Sequence, residues 1–141
     1  MGRNNISLKD AYIIETLRSN NVNDQEIIKR IEANDTAEWQ VSGINIDVER
    51  LVQIGKEFNM HSILEDGYKV KFVTLKGLIN LLKLKFHRKE KLDYESTSNG
   101  VIGLKVNESE LVALRQILSK NWRIESERET IDGNYVVRIQ S

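Results

Sequence analysis

Five short polar residues, each just ahead of a helically spaced set of apolar side chains, constrain this chain more than any other feature. Ser7 precedes Leu8, Tyr12, Ile13 and Leu17, and Asn23 precedes Ile27, Ile28 and Ile31. Asp47 precedes Val48, Leu51, Val52 and Phe58. Thr74 precedes Leu75, Leu78, Ile79, Leu82 and Phe86, and Asn107 precedes Leu111, Leu114, Ile117 and Leu118. The side-chain oxygen of such a residue accepts from the otherwise free N–H groups of a first helical turn, and the spacing puts the apolar groups on one face. Ser7 with Asp10, Asn23 with Glu26 and Asn107 with Glu110 extend the signal to capping boxes. Five amphipathic helices are therefore predicted, four of them in the first 86 residues. Ser19-Asn20-Asn21, Asn34-Asp35 and Asn59 mark the first three stops.

Strand signals fill the intervals. His61–Glu65 and Tyr68–Val73 flank Asp66-Gly67, and Trp122–Glu129 and Tyr135–Ile139 flank Asp132-Gly133. Asp and Gly tolerate the positive φ of a type I′ turn, so two hairpins are predicted. Tyr68, Val70 and Phe72 alternate with Lys69 and Lys71, giving one apolar and one cationic face. In the second hairpin Trp122 and Ile124 face one side, with Arg123, Glu125, Glu127 and Glu129 on the other. Val101–Val106 reads as a further strand and residues 93–100 as a flexible connector. Residues 35–46 fit either a short helix followed by a strand or an ordered loop. The segment from Leu82 to His87 also alternates like a strand. Residues 47–73 and 108–139 share the order helix, strand, Asp-Gly, strand, which is either a common arrangement occurring twice or a degenerate duplication. The fold class is α+β: a helical half, a basic helix, then a β-α-β-β unit. The division falls into residues 1–73 and 74–141, with a shared core compatible with the pattern.

Composition narrows the function classes. Val, Ile, Leu and Phe number 44 of 141 residues, enough for a folded core. The absence of cysteine excludes disulfides, thiolate zinc sites and cysteine nucleophiles. No apolar run approaches the roughly 18 residues of a membrane span, and the start is too polar for a secretory signal. A cytoplasmic protein without membrane contact is expected. Proline is absent, while there are 16 isoleucines, 13 asparagines, 12 lysines and four alanines, a bias toward A/T-rich codons that fits a low-GC bacterium, phage or plasmid. His61 and His87 lie in no catalytic motif, Asp66 is accounted for by its turn, and Glu125/Glu127 sit on a solvent face. No Gly-rich phosphate loop or metal-ligand spacing occurs. The expectation is a non-enzymatic protein with no catalytic residue, metal or cofactor.

Charge is segregated along the chain. Residues 1–66 carry a net −5, residues 67–92 a net +7 and residues 93–141 a net −2. The basic run comprises Lys69, Lys71, Lys76, Lys83, Lys85, Arg88, Lys89 and Lys91, with His87 among them. On a helix, Lys76, Asn80, Lys83 and His87 form one polar stripe. Such a cluster suits a phosphate backbone, whose neutralisation releases counterions. It also suits, and more commonly is, a solvated face that balances the acidic first half within the molecule or across a dimer.

The segment Ile13-Ile14-Glu15-Thr16-Leu17-Arg18 through Asn23-Asp24-Gln25-Glu26-Ile27-Ile28-Lys29-Arg30-Ile31 resembles the first two helices of winged-helix modules. Together with the third helix and the hairpin it follows their α-α-α-β-β order across residues 7–73. The resemblance implies that the strand after Asp66-Gly67 returns from the wing. Residues 35–46 are longer than the usual turn, and the would-be recognition helix exposes Asp47, Glu49 and Glu57 beside Arg50, Gln53 and Lys56. Contact with DNA would therefore fall to the wing and the basic helix. The functional expectation is a small regulator that contacts nucleic acid through residues 69–91. The alternative is an accessory or inhibitor factor that docks a partner protein. A homodimer is compatible with either.

Overall fold

The computed structural model describes residues 4–141. In chain order the elements are β1 (Asn4–Ile6), α1 (Leu8–Ser19), α2 (Asp24–Glu32), α3 (Ala37–Val41), α4 (Val48–Glu57), α5 (Met60–Asp66), β2 (Tyr68–Val70), α6 (Leu75–Phe86), β3 (Glu95–Thr97), β4 (Gly100–Val106), α7 (Glu108–Ile117), β5 (Arg123–Glu129) and β6 (Tyr135–Gln140). All five predicted caps form. Ser7, Asn23, Asp47, Thr74 and Asn107 accept from the N–H groups of Asp10, Glu26, Arg50, Gly77 and Glu110, at 2.8–3.1 Å. At Asn107 the Glu110 carboxylate also accepts from the cap's own N–H, completing a capping box. The molecule is α+β.

Helix α1 is the axle of the helical half. Asp10, Ala11, Ile13, Ile14, Glu15 and Leu17 are all buried, so nearly its whole circumference is covered, by α6 on one side and α4 on another. Each fully buried Ile or Leu here contributes roughly 1.5–3 kcal/mol. One apolar cluster runs without a break from Ile6 to Ile139 and joins the helical half to the four-stranded sheet. Helix α7 bridges them, lying against both β2 and β4. The sheet has the order β3-β4-β6-β5, antiparallel throughout. Its outer strand β5 is mostly exposed and charged, which blunts a free edge against unwanted pairing.

Three segments depart from the sequence expectation. The first hairpin does not form. Residues 60–66 are helix α5, because Asn59 caps the Ser62 N–H at 3.3 Å rather than merely ending α4, and because Met60, Ile63 and Leu64 share one buried face. Gly67 takes φ +90 and terminates that helix. Lacking a Cβ, it leaves room for Gln116 of α7, whose amide donates to the Asp66 carbonyl at 2.5 Å. Strand β2 finds another partner, β1, and pairs with it in parallel, Asn4 opposite Tyr68 and Ile6 opposite Val70. The wing of the winged-helix order is therefore replaced by a helix and a parallel strand pair. The helix–strand–turn–strand order also disappears from residues 47–73, leaving no repeat of the second half. Phe72 does not continue the apolar alternation either: the strand ends at Val70, Val73 enters the core and Phe72 turns outward.

Residues 35–46 resolve into the short helix α3, whose Trp39 is buried, followed by a loop turning at Gly43 with φ +84. The expected connector 93–100 contains β3, since the margin of β4 offers backbone groups that Glu95–Thr97 satisfy. The last hairpin forms, but residues 131–133 make a three-residue loop in place of a two-residue type I′ turn: the Thr130 N–H donates to the Asn134 carbonyl at 2.8 Å, and Gly133, not Asp132, takes positive φ.

Gly100 opens β4 opposite Gln140, where an added Cβ would land on the Ile139 carbonyl oxygen and 2.8 Å from the Gln140 Cα. Backbone cannot yield as a flexible side chain does. Gly100→Ala is expected to destabilise the protein by about 3 kcal/mol, measured as a lowered urea midpoint. A midpoint equal to wild type would contradict this packing of β4 on β6.

Candidate nucleic-acid interface

Helix α6 carries the basic run. Thr74 caps it, Leu78, Leu81, Leu82 and Phe86 point into the core, and Gly77 lets Leu8 of α1 approach closely. The strand-like alternation of 82–87 yields because these four residues occupy one helical face, and the helix ends with His87 in the left-handed region at φ +57.

The nine expected site residues divide into two groups. Three are engaged within the molecule. The Lys85 ammonium meets the Glu15 carboxylate at 3.2 Å and lies 5.6 Å from the centre of the Tyr68 ring. The Arg88 guanidinium forks onto both carboxylate oxygens of Glu110 at 2.9 and 3.1 Å, and it also donates to the carbonyls of Phe86 and Lys105. Lys69 donates to the Leu118 carbonyl at 2.7 Å. The other six, Lys71, Lys76, Lys83, His87, Lys89 and Lys91, are exposed. Among the described residues none of their side-chain nitrogens has a carboxylate oxygen within 4 Å. Lys76, Lys83 and His87 form the predicted stripe, opposite the buried face. Its fourth member, Asn80, is half-buried and donates to the Tyr12 hydroxyl at 3.2 Å. Lys71 precedes the helix. Lys89 and Lys91 follow it in a turn held by the Asp93 side chain, which accepts from the Lys89 N–H at 2.6 Å.

The inward course of Lys85 was readable: it follows Leu78 and Leu81 at i+7 and i+4, on the apolar face rather than the polar stripe. What it meets there was not readable. Glu15, 1% exposed, accepts from the Tyr68 hydroxyl at 2.6 Å, from Arg18 at 3.0 Å and from Lys85. Arg18 also grips Asp24 of α2 and donates to the Leu64 carbonyl of α5. Burial, followed by the neighbouring Glu15 charge and hydrogen bond, pushes the Tyr68 hydroxyl well above the ordinary tyrosine range. At the start of α1, Asp10 receives a two-pronged bond from Arg50 at 2.8 Å on each arm. That bond holds the Asp10 carboxyl below its usual range against the opposing cost of burial. The Arg50 charge, the Ser7 hydrogen bond and the charge of Lys71 add to the same effect.

His61 lies on α5, exposed and 3.8 Å from Glu32, on a different element from His87. Among the described residues no helix is long and apolar enough to cross a membrane. No protein-family model, curated protein or solved structure matches this chain. The functional reading therefore stands on the geometry.

Removing the Glu15 carboxylate leaves the Lys85 ammonium and the buried Tyr68 hydroxyl without their acceptor, while Arg18 keeps Asp24. Glu15→Ala is expected to cost about 3–5 kcal/mol, whereas Lys83→Ala on the solvent face should stay within about 0.5 kcal/mol of wild type. Urea unfolding of both variants checks the contrast. The Asp10–Arg50 pair predicts a pH dependence as well. Its folded carboxyl ionises below the unfolded value of about 3.9, so its stabilisation is complete above that pH. It disappears as pH falls through the lower folded value. Asp10→Asn should be less stable than wild type at neutral pH and show a shallower loss of stability below about pH 4. Parallel acid-side stability curves for the two proteins would refute this assignment.

Proposed function

We propose that this chain is a small, non-enzymatic, cytoplasmic regulatory protein that contacts nucleic acid through the outward face of α6 and the segments at its two ends. The observation that carries the reading is the division of the basic run. The fold uses Lys69, Lys85 and Arg88 internally, and it leaves Lys71, Lys76, Lys83, His87, Lys89 and Lys91 facing solvent without carboxylate partners among the described residues. Of the nine, only Lys85 forms an ion pair with the acidic first half, while Lys71 acts on Asp10 through its charge without an ion-pair contact. Lysines free of internal pairing release counterions when phosphates bind them, which supplies most of the free energy of sequence-independent binding. The duplex-reading surface of a winged helix is not part of this reading, because the wing is absent and α4 presents Glu49 and Glu57 beside Arg50.

A second reading, an accessory factor that docks a partner protein, is favoured by the groove between α2 and the α4–α5 corner. Ile28, Ile31, Val52, Phe58 and Met60 line it, beside Glu32, Lys56, Asn59 and His61. The two readings separate in one titration. Fluorescence anisotropy with random-sequence duplex and single-stranded DNA at low salt should show binding that weakens steeply with salt. Lys76→Gln combined with Lys83→Gln should lower the magnitude of the log–log salt slope by about 2 while leaving the far-ultraviolet spectrum intact. Absence of binding to both DNA forms at low salt would sink the nucleic-acid reading and leave the docking groove.

A further inference from the structure

The chain has nine aromatic residues, and only one is exposed. Tyr12, Phe58 and Tyr135 are half-buried. Trp39, Tyr68, Phe86, Tyr94 and Trp122 are buried, whereas Phe72 is 60% exposed. It stands directly after Lys71 and four residues before Lys76, at the N-terminal end of the basic stripe.

Its exposure is built into the backbone. On one side the Lys71 N–H donates to the Ile6 carbonyl at 2.8 Å. On the other, the Val73 N–H donates to the Ser119 hydroxyl at 3.0 Å, and the Val73 carbonyl accepts from the Trp122 indole at 2.7 Å and the Asn121 amide at 3.4 Å. Thr74 then starts α6 at once. With both neighbours tied, the ring between them is held outward by the fold instead of wandering there from a loose loop. A large apolar group held in water next to a row of unpaired lysines lacks a partner that the cluster's own chemistry supplies: the π-face of a nucleobase.

We propose that Phe72 stacks on an unpaired base, so that the nucleic acid bound along α6 is single-stranded. This rests on the reading of the basic face given above. In a duplex the base faces are already stacked on one another and a ring at the backbone cannot reach them without prying a step open. An unpaired strand offers its base faces freely while its phosphates follow the lysines. From Lys76 to His87 the stripe runs about 16 Å along the helix, enough for a few nucleotides beside the one on Phe72. Stacking is tolerant of base identity, as suits a surface whose exposed cations are mostly lysines.

The test titrates the full chain with labelled oligothymidylate, oligouridylate and a DNA duplex, each of about 16 nucleotides, over a series of salt concentrations. Wild type should bind a single strand more tightly than the duplex. Phe72→Ala and Phe72→Leu should each weaken single-strand binding about tenfold without changing its salt slope, since no phosphate contact is lost. Phe72→Trp should keep the affinity, and its exposed indole should be quenched on binding, which the buried Trp39 and Trp122 of the wild type cannot mimic. Unchanged binding by Phe72→Ala, wild-type binding by Phe72→Leu, or a duplex bound as tightly as the single strands overturns the stacking proposal and leaves the basic interface standing. No binding of any of the three probes overturns both.

Discussion

The buried carboxylate of Glu15 is the point on which the rest of the structure turns. Three donors from three elements converge on it: Tyr68 of β2, Arg18 of its own helix and Lys85 of α6. Through Arg18 the network continues to Asp24 in α2 and to the α5 backbone. In a medium of low dielectric such a group is costly unless its partners are all present, so five elements must arrive together for any of them to be well placed. The network also sets the rotation of α6 about its own axis. With Lys85 drawn inward, Lys76 and Lys83 lie on the opposite side of the helix and are carried out to solvent. The buried ion pair and the exposed basic stripe are two consequences of one helical register.

Asp10 and Arg50 play the corresponding part at the other end of α1, tying it to α4. Between these two charged fasteners α1 presents Ile13, Ile14 and Leu17 to the core, which explains a helix buried almost all round that nevertheless contains two acidic residues. The apolar contacts supply most of the stabilisation. The charged pairs add selectivity, since a slipped or rotated helix would leave a carboxylate buried without a donor. The segregation of charge along the chain is thus only partly consumed by the fold. Lys85 and Arg88 reach into the acidic flanking thirds and Lys69 holds the Leu118 carbonyl, while the six exposed cations form no ion pair among the described residues.

Much of the architecture was legible in the residues. The capped helices and the turn at Asp132-Gly133 rest on interactions between residues three to five apart, and these hold wherever the segment is placed. The candidate interface was legible to a similar extent. The stripe of Lys76, Lys83 and His87 follows from helical spacing alone, and so does the inward register of Lys85 with Leu78 and Leu81. The failures share a cause. Asp66-Gly67 was a sound turn signal attached to the wrong element, because Asn59 had already started a helix whose consecutive buried residues, Ile63 and Leu64, no half-buried strand would carry. Strands β1 and β3, three residues each, are too short to show any periodicity.

The sequence by itself determined where five of the seven helices among the described residues begin, which side of those five is apolar and where positive charge accumulates, since these depend on near neighbours along the chain. Only the tertiary structure decided that β2 pairs with Asn4–Ile6 instead of with the residues just before it. It likewise decided that Glu15 is buried among Tyr68, Arg18 and Lys85, and that Phe72 stays outside while Val73 goes in. Each of these outcomes depends on groups distant in sequence competing for the same partner or the same space. No pattern confined to one segment records which competitor is present to win.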